Sequence, residues 1–308
     1  MLRTMSSALL VLLLLLAAGQ IQASSRQMQD QADRIVEVPE NPSRVVSLAP
    51  SITEMVYELG KGDLLVGATM YSDNPAQAQE LPKVGSYVNL NVEKILQLKP
   101  DLCLATKDGN PVSTVQRLQS LGVPVYALDP RSLEQVMHTL KELGAILRAE
   151  GAAKELVADM QGRLQELKTR TRQSQEEPRV FFQIGLKPLV SAGEGTFIQE
   201  LIDLAGGKNL AAGKGTYPRF SREEVLKLDP EVILISSMAN DKEAAQEAVR
   251  SWKRYPDITA VAEDRIHVVP AKLFNRPSPR MLDALEILVE LLHPGNGLAD
   301  IEQKRTLE

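Results

Sequence analysis

Residues 90–104 read LNVEKILQLKPDLCL, and residues 220–234 read FSREEVLKLDPEVIL. The two stretches align without a gap at an offset of 130 residues. Each predicts a short amphipathic helix, a proline that ends it, and an apolar strand directly after an acidic residue. Because the same pattern occurs in both halves of the chain, the sequence predicts two similar lobes.

Around these stretches, predicted strands alternate with predicted helices. Strand patterns occur at 44–48, 64–68, 102–105, 123–128, 180–184, 232–235 and 266–269. Capping-box patterns at 51–54, 132–135 and 221–224 mark the starts of three helices. Such alternation is typical of a parallel sheet with helices on both faces. We expect an α/β fold with a central, mostly parallel sheet in each lobe.

Residues 149–175 interrupt the alternation with one long helical pattern. Its apolar residues recur at intervals of three and four: Ala152, Leu156, Met160, Leu164 and Leu167. The pattern predicts a helix of about 24 residues, roughly 36 Å long. Its position predicts that it bridges an N-terminal lobe (34–148) and a C-terminal lobe (176–295). We expect a ligand cleft between the lobes and a small hinge motion, because one rigid helix joins them.

The first 23 residues predict an export signal. A single cation, Arg3, precedes the apolar run at 8–18, and small or polar residues lead to Ala23. This order is typical of a cleavable secretory signal, with an uncleaved anchor as the alternative. We expect disorder in the polar residues 24–33, and we assign 296–308 to a tail.

The sole cysteine and the net charge narrow the compartment and the partners. Cys103 lies far from the predicted cleavage point, so we expect no lipid anchor there and a free periplasmic protein without an internal disulfide. The formal charge is −5, and loss of Arg3 with the signal makes it −6. This mild acidity argues against a nucleic-acid partner.

Sequence motifs for catalysis are missing. The three histidines, His138, His267 and His293, are far apart, and there is no nucleophile-elbow, Walker A or dinucleotide motif. We therefore expect a binding protein without a cofactor rather than an enzyme. The alternative is an exported metal-chelatase-like enzyme, which would need histidine or acidic ligands that converge in the cleft.

Aromatic residues make up only 4% of the chain, so their positions are informative. Four of them fall in predicted loops: Tyr71, Tyr87, Tyr217 and Phe274. Tyr87 and Tyr217 occupy equivalent positions, each shortly before its repeat helix. Such residues can stack on a large flat ligand, or they can simply fill the edge of a lobe.

Two glutamates occupy matching positions in the repeat. Glu93 and Glu223 each fall in the first turn of a helix, where a carboxylate suits the helix dipole. Together they also place one negative charge on each lobe. Two such charges could dock on paired basic residues of a twofold partner.

Several motifs carry a family resemblance. They are RVVSLAPSITE at 44–54, YSDNP at 71–75, VEKILQLKPDL at 92–102, SREEVL at 221–226 and FNRPSPR at 274–280. With these motifs the chain resembles the periplasmic substrate-binding proteins of ABC importers that have a long bridging helix. The resemblance covers nearly all of residues 34–293 and is greatest to the cobalamin-binding members of that family.

The resemblance implies a monomer that captures cobalamin or a related corrinoid and delivers it to a membrane permease with ATPase subunits. It implies that Tyr71, Tyr87, Tyr217 and Phe274 line the pocket, although cobalamin-binding members have tryptophans at the positions of Tyr87 and Tyr217. It also implies that Glu93 and Glu223 meet arginines of the permease. Haem and ferric siderophores are the alternative ligands. Three cations could suit an anionic ligand: Lys187, Arg219 and Arg276.

Overall fold

A computed structural model describes residues 24–172, 174, 176–185, 188–236 and 242–294. The predicted signal at 1–23, the tail at 296–308 and Lys187 lie outside these residues. Within the described ranges, no helix is both long and apolar enough to cross a membrane.

The N-terminal lobe contains a parallel sheet in the order β4-β3-β7-β8. The strands of the lobe are β1 (Ser25–Gln29), β2 (Ile35–Pro39), β3 (Val45–Ser47), β4 (Leu65–Ala68), β5 (Gly85–Ser86), β6 (Asn89–Leu90), β7 (Leu102–Thr106) and β8 (Val125–Leu128). β1 pairs with β2 and β5 pairs with β6 in two separate two-stranded sheets. The helices of the lobe are α1 (Pro50–Glu58), α2 (Val92–Gln97), α3 (Val112–Ser120) and α4 (Leu133–Leu147), with 3-10 turns at Gly62–Leu64 and Ala76–Glu80.

The C-terminal lobe contains a second sheet, in the order β12-β10-β9-β13-β14, with β11 also paired to β9. Its strands are β9 (Arg179–Gly185), β10 (Leu189–Ser191), β11 (Lys208–Asn209), β12 (Arg219–Phe220), β13 (Val232–Ile235) and β14 (Ile266–Val268). Its helices are α6 (Phe197–Leu204), α7 (Arg222–Leu228), α8 (Lys242–Trp252), α9 (Thr259–Ala262), α10 (Ala271–Phe274) and α11 (Met281–Leu292). The sheet is parallel except where β10 pairs with β9 and β12. The predicted α/β class is confirmed.

Each sheet is buried on both faces because its side chains alternate between two apolar clusters. In β13, Val232 and Leu234 join the large central core, whereas Ile233 and Ile235 pack under the outer helices with Trp252. The strands of the N-terminal lobe divide in the same way. The outer clusters are separate in the two lobes, but the central core is shared.

The helix α5 (Glu150–Thr171) links the two lobes. Its 22 residues span about 33 Å, and it packs on α4 on one side and on α11 on the other. At the α4 crossing, a Cβ on Gly144 would lie 2.6 Å from that of Ala153, so only glycine permits this approach. The predicted bridging helix is confirmed; the predicted limits of the lobes stay predictions.

The buried stripe of α5 differs from the predicted one. Met160 and Leu167 are buried as predicted, but Ala153 and Val157 are the other buried positions. Ala152, Leu156 and Leu164 are only partly buried at its margin. Because α4 and α11 enclose the helix from two sides, alanine and valine at the closest contact are buried more fully than the leucines beside them.

The two repeat units fold alike at the junction between helix and strand. Lys99 and Asp229 both end their helices in the left-handed region, with φ of 47° and 44°. The acid after each proline then accepts a hydrogen bond from a backbone N–H in the main sheet of its lobe. Asp101 accepts from Arg44 (3.1 Å), directly before β3, and Glu231 accepts from Arg179 (2.8 Å), at the start of β9. Each of these arginines also donates to the last turn of its repeat helix, at the carbonyl oxygens of Leu98 and Leu228.

The prediction that residues 24–33 are disordered is wrong. Strand β1 pairs antiparallel with β2, and the turn between them is built on Asp30, which is 3% exposed. Its carboxylate accepts hydrogen bonds from the backbone N–H groups of Ala32 (3.0 Å), Arg34 (2.9 Å) and Ala127 on β8 (3.2 Å). The polar composition concealed an acid whose acceptors are all used internally.

Replacing Asp30 by alanine is expected to lower the free energy of unfolding by about 2–3 kcal/mol. The change removes several charge-assisted hydrogen bonds and leaves the buried Ala127 N–H without its acceptor. Urea denaturation of the mature chain measures the loss. Asp33→Asn, an exposed change in the same turn, is the control and should cost under about 0.5 kcal/mol. Equal effects of the two changes would contradict the role of Asp30.

Candidate ligand cleft

Loops at the carboxyl ends of the N-terminal sheet form one wall of the predicted cleft, where open α/β sheets bind their ligands. They follow β3, β4, β7 and β8, and the loop after β4 carries Tyr71. Tyr71 is 50% exposed, and Tyr87 is half-buried. Their rings meet edge to face, with centroids 6.5 Å apart and planes at 66°. The structure therefore brings two of the predicted ligand-binding aromatics together on one wall.

Asn110 holds Tyr87 in place. This residue is 5% exposed, and its amide donates to the carbonyl oxygens of Tyr87 (2.7 Å) and Leu48 (2.9 Å). Its own oxygen accepts from the Thr106 N–H (2.8 Å). The neighbouring Gly109 has φ of +133°, and a Cβ there would lie 2.9 Å from the Tyr87 ring. Sequence reasoning missed both residues, although the Asp-Gly-Asn-Pro turn at 108–111 was a visible signal.

A buried hydroxyl network holds the loop that carries Tyr71. Thr53 on α1 donates to Ser47 (2.8 Å) at the end of β3 and lies 2.9 Å from Ser72. Ser72 is in turn 3.0 Å from the Thr69 hydroxyl. The loop is therefore fixed to the end of β3 and to the first turn of α1 from beneath, which leaves the Tyr71 ring outside.

Tyr217 extends from the C-terminal lobe and is 49% exposed. Partial burial raises the pKa of its phenol, and the nearby carboxylate of Asp108 raises it further, whereas Arg131 opposes the increase. Tyr87 also acts electrostatically on this phenol. Asp108, Arg131 and Tyr87 belong to the other lobe, so these electrostatic effects agree with the predicted position of Tyr217 across the cleft from the first two tyrosines.

Phe274 does not face the cleft, so its prediction as a ligand-binding residue is wrong. The residue is fully buried, and its ring packs against Phe182 at a centroid distance of 5.8 Å. The sequence suggested a loop after β14, but residues 271–274 form the short helix α10. That turn of helix directs the phenylalanine into the central core.

Arg276 is also not available as predicted. Its guanidinium donates to Glu54 (2.7 Å), to Asp73 (3.0 Å) and to the carbonyl oxygen of Tyr71 (2.8 Å). Glu54 is 1% exposed and also accepts from Ser278 (2.6 Å). Since these contacts join the two lobes, Arg276 is an interlobe residue, and both of its terminal nitrogens already donate hydrogen bonds within the protein. Arg219 is exposed on β12.

The interlobe cluster also changes two sequence interpretations. Burial by itself would raise the pKa of Asp73, but hydrogen bonds from Lys272 and Arg276 hold it below its usual value. The predicted capping box at 51–54 is wrong, because α1 begins at Pro50 and Glu54 pairs with Arg276 instead. The capping box at 221–224 is confirmed, and Ser132 caps α4 by accepting from the Gln135 N–H.

A second interlobe contact lies on the side of Arg131. The Glu200 carboxylate on α6 accepts from the Leu133 N–H (2.7 Å) at the start of α4. Burial raises the pKa of Glu200, and this hydrogen bond opposes the increase. A groove of about 630 Å³ opens beside the contact. It is lined by Arg131, Ser132, Gln135, Gly195, Thr196, Gln199, Glu200, Asp203 and Leu204.

Glu93 and Glu223 are exposed in the first turns of α2 and α7. Within the described residues, neither carboxylate has a hydrogen bond or ion pair. The α7 end is further supported by Arg222, which stacks 4.5 Å above the ring of the buried Trp252. The structure thus leaves both predicted docking carboxylates accessible.

The histidines lie on separate elements. His138 is an exposed residue of α4 beside Glu142, and His267 lies on β14. His293 is buried after α11, where its ring nitrogens meet Ser174 and the Ala205 carbonyl. In the part of the chain that the structure describes, no group of three or more histidine, cysteine or acidic residues is arranged to hold a metal ion.

Two α/β lobes joined by one bridging helix match a known class. Residues 45–273 match the family model described as periplasmic binding protein. The chain belongs to this family.

Individual relatives narrow the comparison. The chain is 36% identical to the vitamin B12-binding protein of Vibrio cholerae over 79% of this chain and 86% of the relative. It is 34% identical to that of Pectobacterium atrosepticum, over 80% and 86%. The crystal structure of the periplasmic vitamin B12-binding protein of Vibrio cholerae superposes with a TM-score of 0.74 at 35% identity, over 82% of this chain and 98% of that one. A periplasmic haem-binding protein from Pseudomonas aeruginosa gives 0.76 at 29%, over 82% and 94%.

Proposed function

We propose that this chain is a periplasmic binding protein that captures cobalamin, or a related corrinoid, and delivers it to an ABC importer. The observation that carries the proposal is that the rings of Tyr71 and Tyr87 meet edge to face in loops of one lobe, while Tyr217 is exposed on the other lobe. Relatives at 34–36% identity are named for vitamin B12 binding, which supports this ligand class.

The tyrosines suit such a ligand chemically. A corrinoid presents a broad ring edged with amides, and tyrosine offers an apolar face together with a polar tip. Three partly exposed rings on two lobes can enclose a ring of that size without a charged contact. The proposed role is binding, with cobalamin as transported ligand and no resident cofactor; the relatives compared above are binding proteins and not enzymes.

The proposed compartment and partners follow from the same role. The export signal predicted at 1–23 would deliver the mature chain to the periplasm. There it would work as a monomer that docks on a permease with ATPase subunits, through Glu93 and Glu223. The proposal involves no nucleic acid.

Haem is the second candidate ligand, and one observation favours it. The haem-binding protein from Pseudomonas aeruginosa has the same fold at 29% identity, and a tyrosine phenol can ligate haem iron. Ferric siderophores remain a further alternative on this scaffold. These candidates differ from a corrinoid in what they need from the tyrosines, because iron ligation needs the phenol oxygen and stacking needs only the ring.

Calorimetric titration of the mature chain with cyanocobalamin, haemin and a ferric siderophore tests the proposal. We expect saturable heat with cyanocobalamin at a one-to-one ratio. Tyr87→Ala should weaken that binding by about 1.4–2.8 kcal/mol, which is about tenfold to hundredfold. No heat from any corrinoid would remove the proposed ligand.

The matched variant Tyr87→Phe separates the two modes of binding. It keeps the ring and removes the phenol, so cyanocobalamin affinity should change by less than about threefold, or about 0.7 kcal/mol. A large loss of haemin binding in the same variant, with haemin as the tighter ligand, would favour iron ligation instead.

A further inference from the structure

A cluster of ionic side chains joins the lobes beside the loop that carries Tyr71. This loop and Tyr87 form the wall of the predicted cleft described above, here called the ligand wall. The C-terminal lobe supplies the cations Lys272, Arg276 and Arg280, and the N-terminal lobe supplies the carboxylates of Glu54 and Asp73. Glu54 is 1% exposed, and the Arg276 side chain is 11% exposed. A buried, hydrogen-bonded ion pair of this kind has a defined geometry, because any displacement leaves a charge without its partner.

Arg276 reaches the ligand wall directly. One guanidinium nitrogen pairs with Glu54, and the other donates both to Asp73 (3.0 Å) and to the Tyr71 carbonyl oxygen (2.8 Å). Tyr71 and Asp73, the two neighbours of Ser72 in this loop, are therefore both hydrogen-bonded to a residue of the opposite lobe. The hydroxyl network holds this loop from its own lobe, so Arg276 supplies the contact that depends on the position of the other lobe.

We infer that Arg276 is a positioning residue: it fixes the Tyr71 loop of the ligand wall and, by the same contacts, the distance between the two lobes. The inference rests on the proposed function only in taking Tyr71 as a ligand contact. In the free protein, the cleft is held near one width before ligand arrives. Binding is then preorganised, so little ordering of loops or lobes opposes it.

The test measures the distance between α2 of the N-terminal lobe and α7 of the C-terminal lobe, here called the lobe tips, in the free protein. Nitroxide labels at Lys94→Cys and Lys227→Cys, both exposed positions, report that distance by pulsed electron paramagnetic resonance. The native Cys103 does not compete for label, because it is fully buried and burial raises the pKa of its thiol to about 12. We expect one narrow distribution in the otherwise unchanged chain and a broadened or shifted one in Arg276→Met.

Two further variants make the test specific. Arg276→Met with Glu54→Gln removes both charges of the interlobe ion pair. It tests the role of the pair without leaving the buried Glu54 carboxylate unpaired, and it should broaden the distance distribution too. Arg163→Met is the control: Arg163 also pairs with two carboxylates, Asp283 and Glu286, but it joins α5 to α11 and has no hydrogen bond or ion pair with Glu54, Asp73 or Tyr71 in the described part of the chain. The control distribution should stay narrow.

Cyanocobalamin affinity provides the second measurement. Both Arg276 variants should lose about tenfold or more, and the control should lose less than about threefold. An unchanged distance distribution in both Arg276 variants would overturn the inference. If the unchanged chain binds no corrinoid, the proposed ligand fails, while the distance measurement still decides whether Arg276 fixes the lobes.

Discussion

Arg276→Met is expected to lower the free energy of unfolding by about 3–5 kcal/mol, which is a large part of the stability of a typical domain. The loss arises because Glu54, at 1% exposure, keeps a buried carboxylate and loses the cation 2.7 Å away. Arg280 does not replace it, since its nearest nitrogen is 3.8 Å from Glu54. Urea or thermal denaturation of the mature chain measures the change.

The double variant separates the cost of an unpaired charge from the value of the pair. Glu54→Gln with Arg276→Met should recover most of the loss, because the amide still accepts from Ser278 and no buried charge remains. Arg163→Met, whose carboxylate partners are partly exposed to solvent, should cost no more than about 1 kcal/mol. A single variant as stable as the Arg163 control would show that Glu54 is solvated in solution.

The second large effect is expected on transport. Glu93→Ala with Glu223→Ala should reduce uptake of the ligand through the importer by about a hundredfold or more. Truncating one partner of a buried interfacial charge pair costs about 2–5 kcal/mol, and the double variant removes two such partners. Ligand affinity should change by less than about twofold, because Glu93 and Glu223 lie in the first turns of α2 and α7, whereas the three tyrosines lie outside these helices. Uptake of labelled ligand in cells and calorimetry on the purified variant measure the two effects.

A charge-matched control distinguishes docking from bulk charge. Glu155→Ala with Asp159→Ala removes the same charge from exposed positions of α5 and should leave uptake unchanged. The single tip variants should each give an intermediate loss. Normal uptake in the tip double variant, or a large loss of ligand affinity, would each contradict the docking role.

The sequence predicted the main strands and helices because each of them depends on the pattern of apolar residues and prolines within its own segment. The buried strands, the prolines after the repeat helices and the long helix each have a periodicity that one sequence displays. The short strands β10, β11 and β12 have only two or three residues each, too few for a pattern to be visible. β10 and β11 form by pairing with β9, and β12 forms by pairing with β10.

The candidate site could be predicted only where a residue's role depends on its own loop. Tyr71 and Tyr217 are exposed and Tyr87 is half-buried because all three stand outside the central strands. Arg276 pairs with a residue 222 positions away, and nothing near either residue in sequence indicates the other. Phe274 was placed wrongly for a related reason, since a single turn of helix decides which way it points.

The shared central core has a consequence for how the molecule can be divided. Residues from the sheets of both lobes and from α4, α5 and α11 form one apolar cluster. Cutting the chain between the lobes would expose that cluster on both fragments, so neither lobe is an autonomous folding unit, although each contains a complete copy of the repeat. Both lobes therefore unfold together, and a destabilising substitution in the pocket of either lobe lowers the free energy of unfolding of the whole chain.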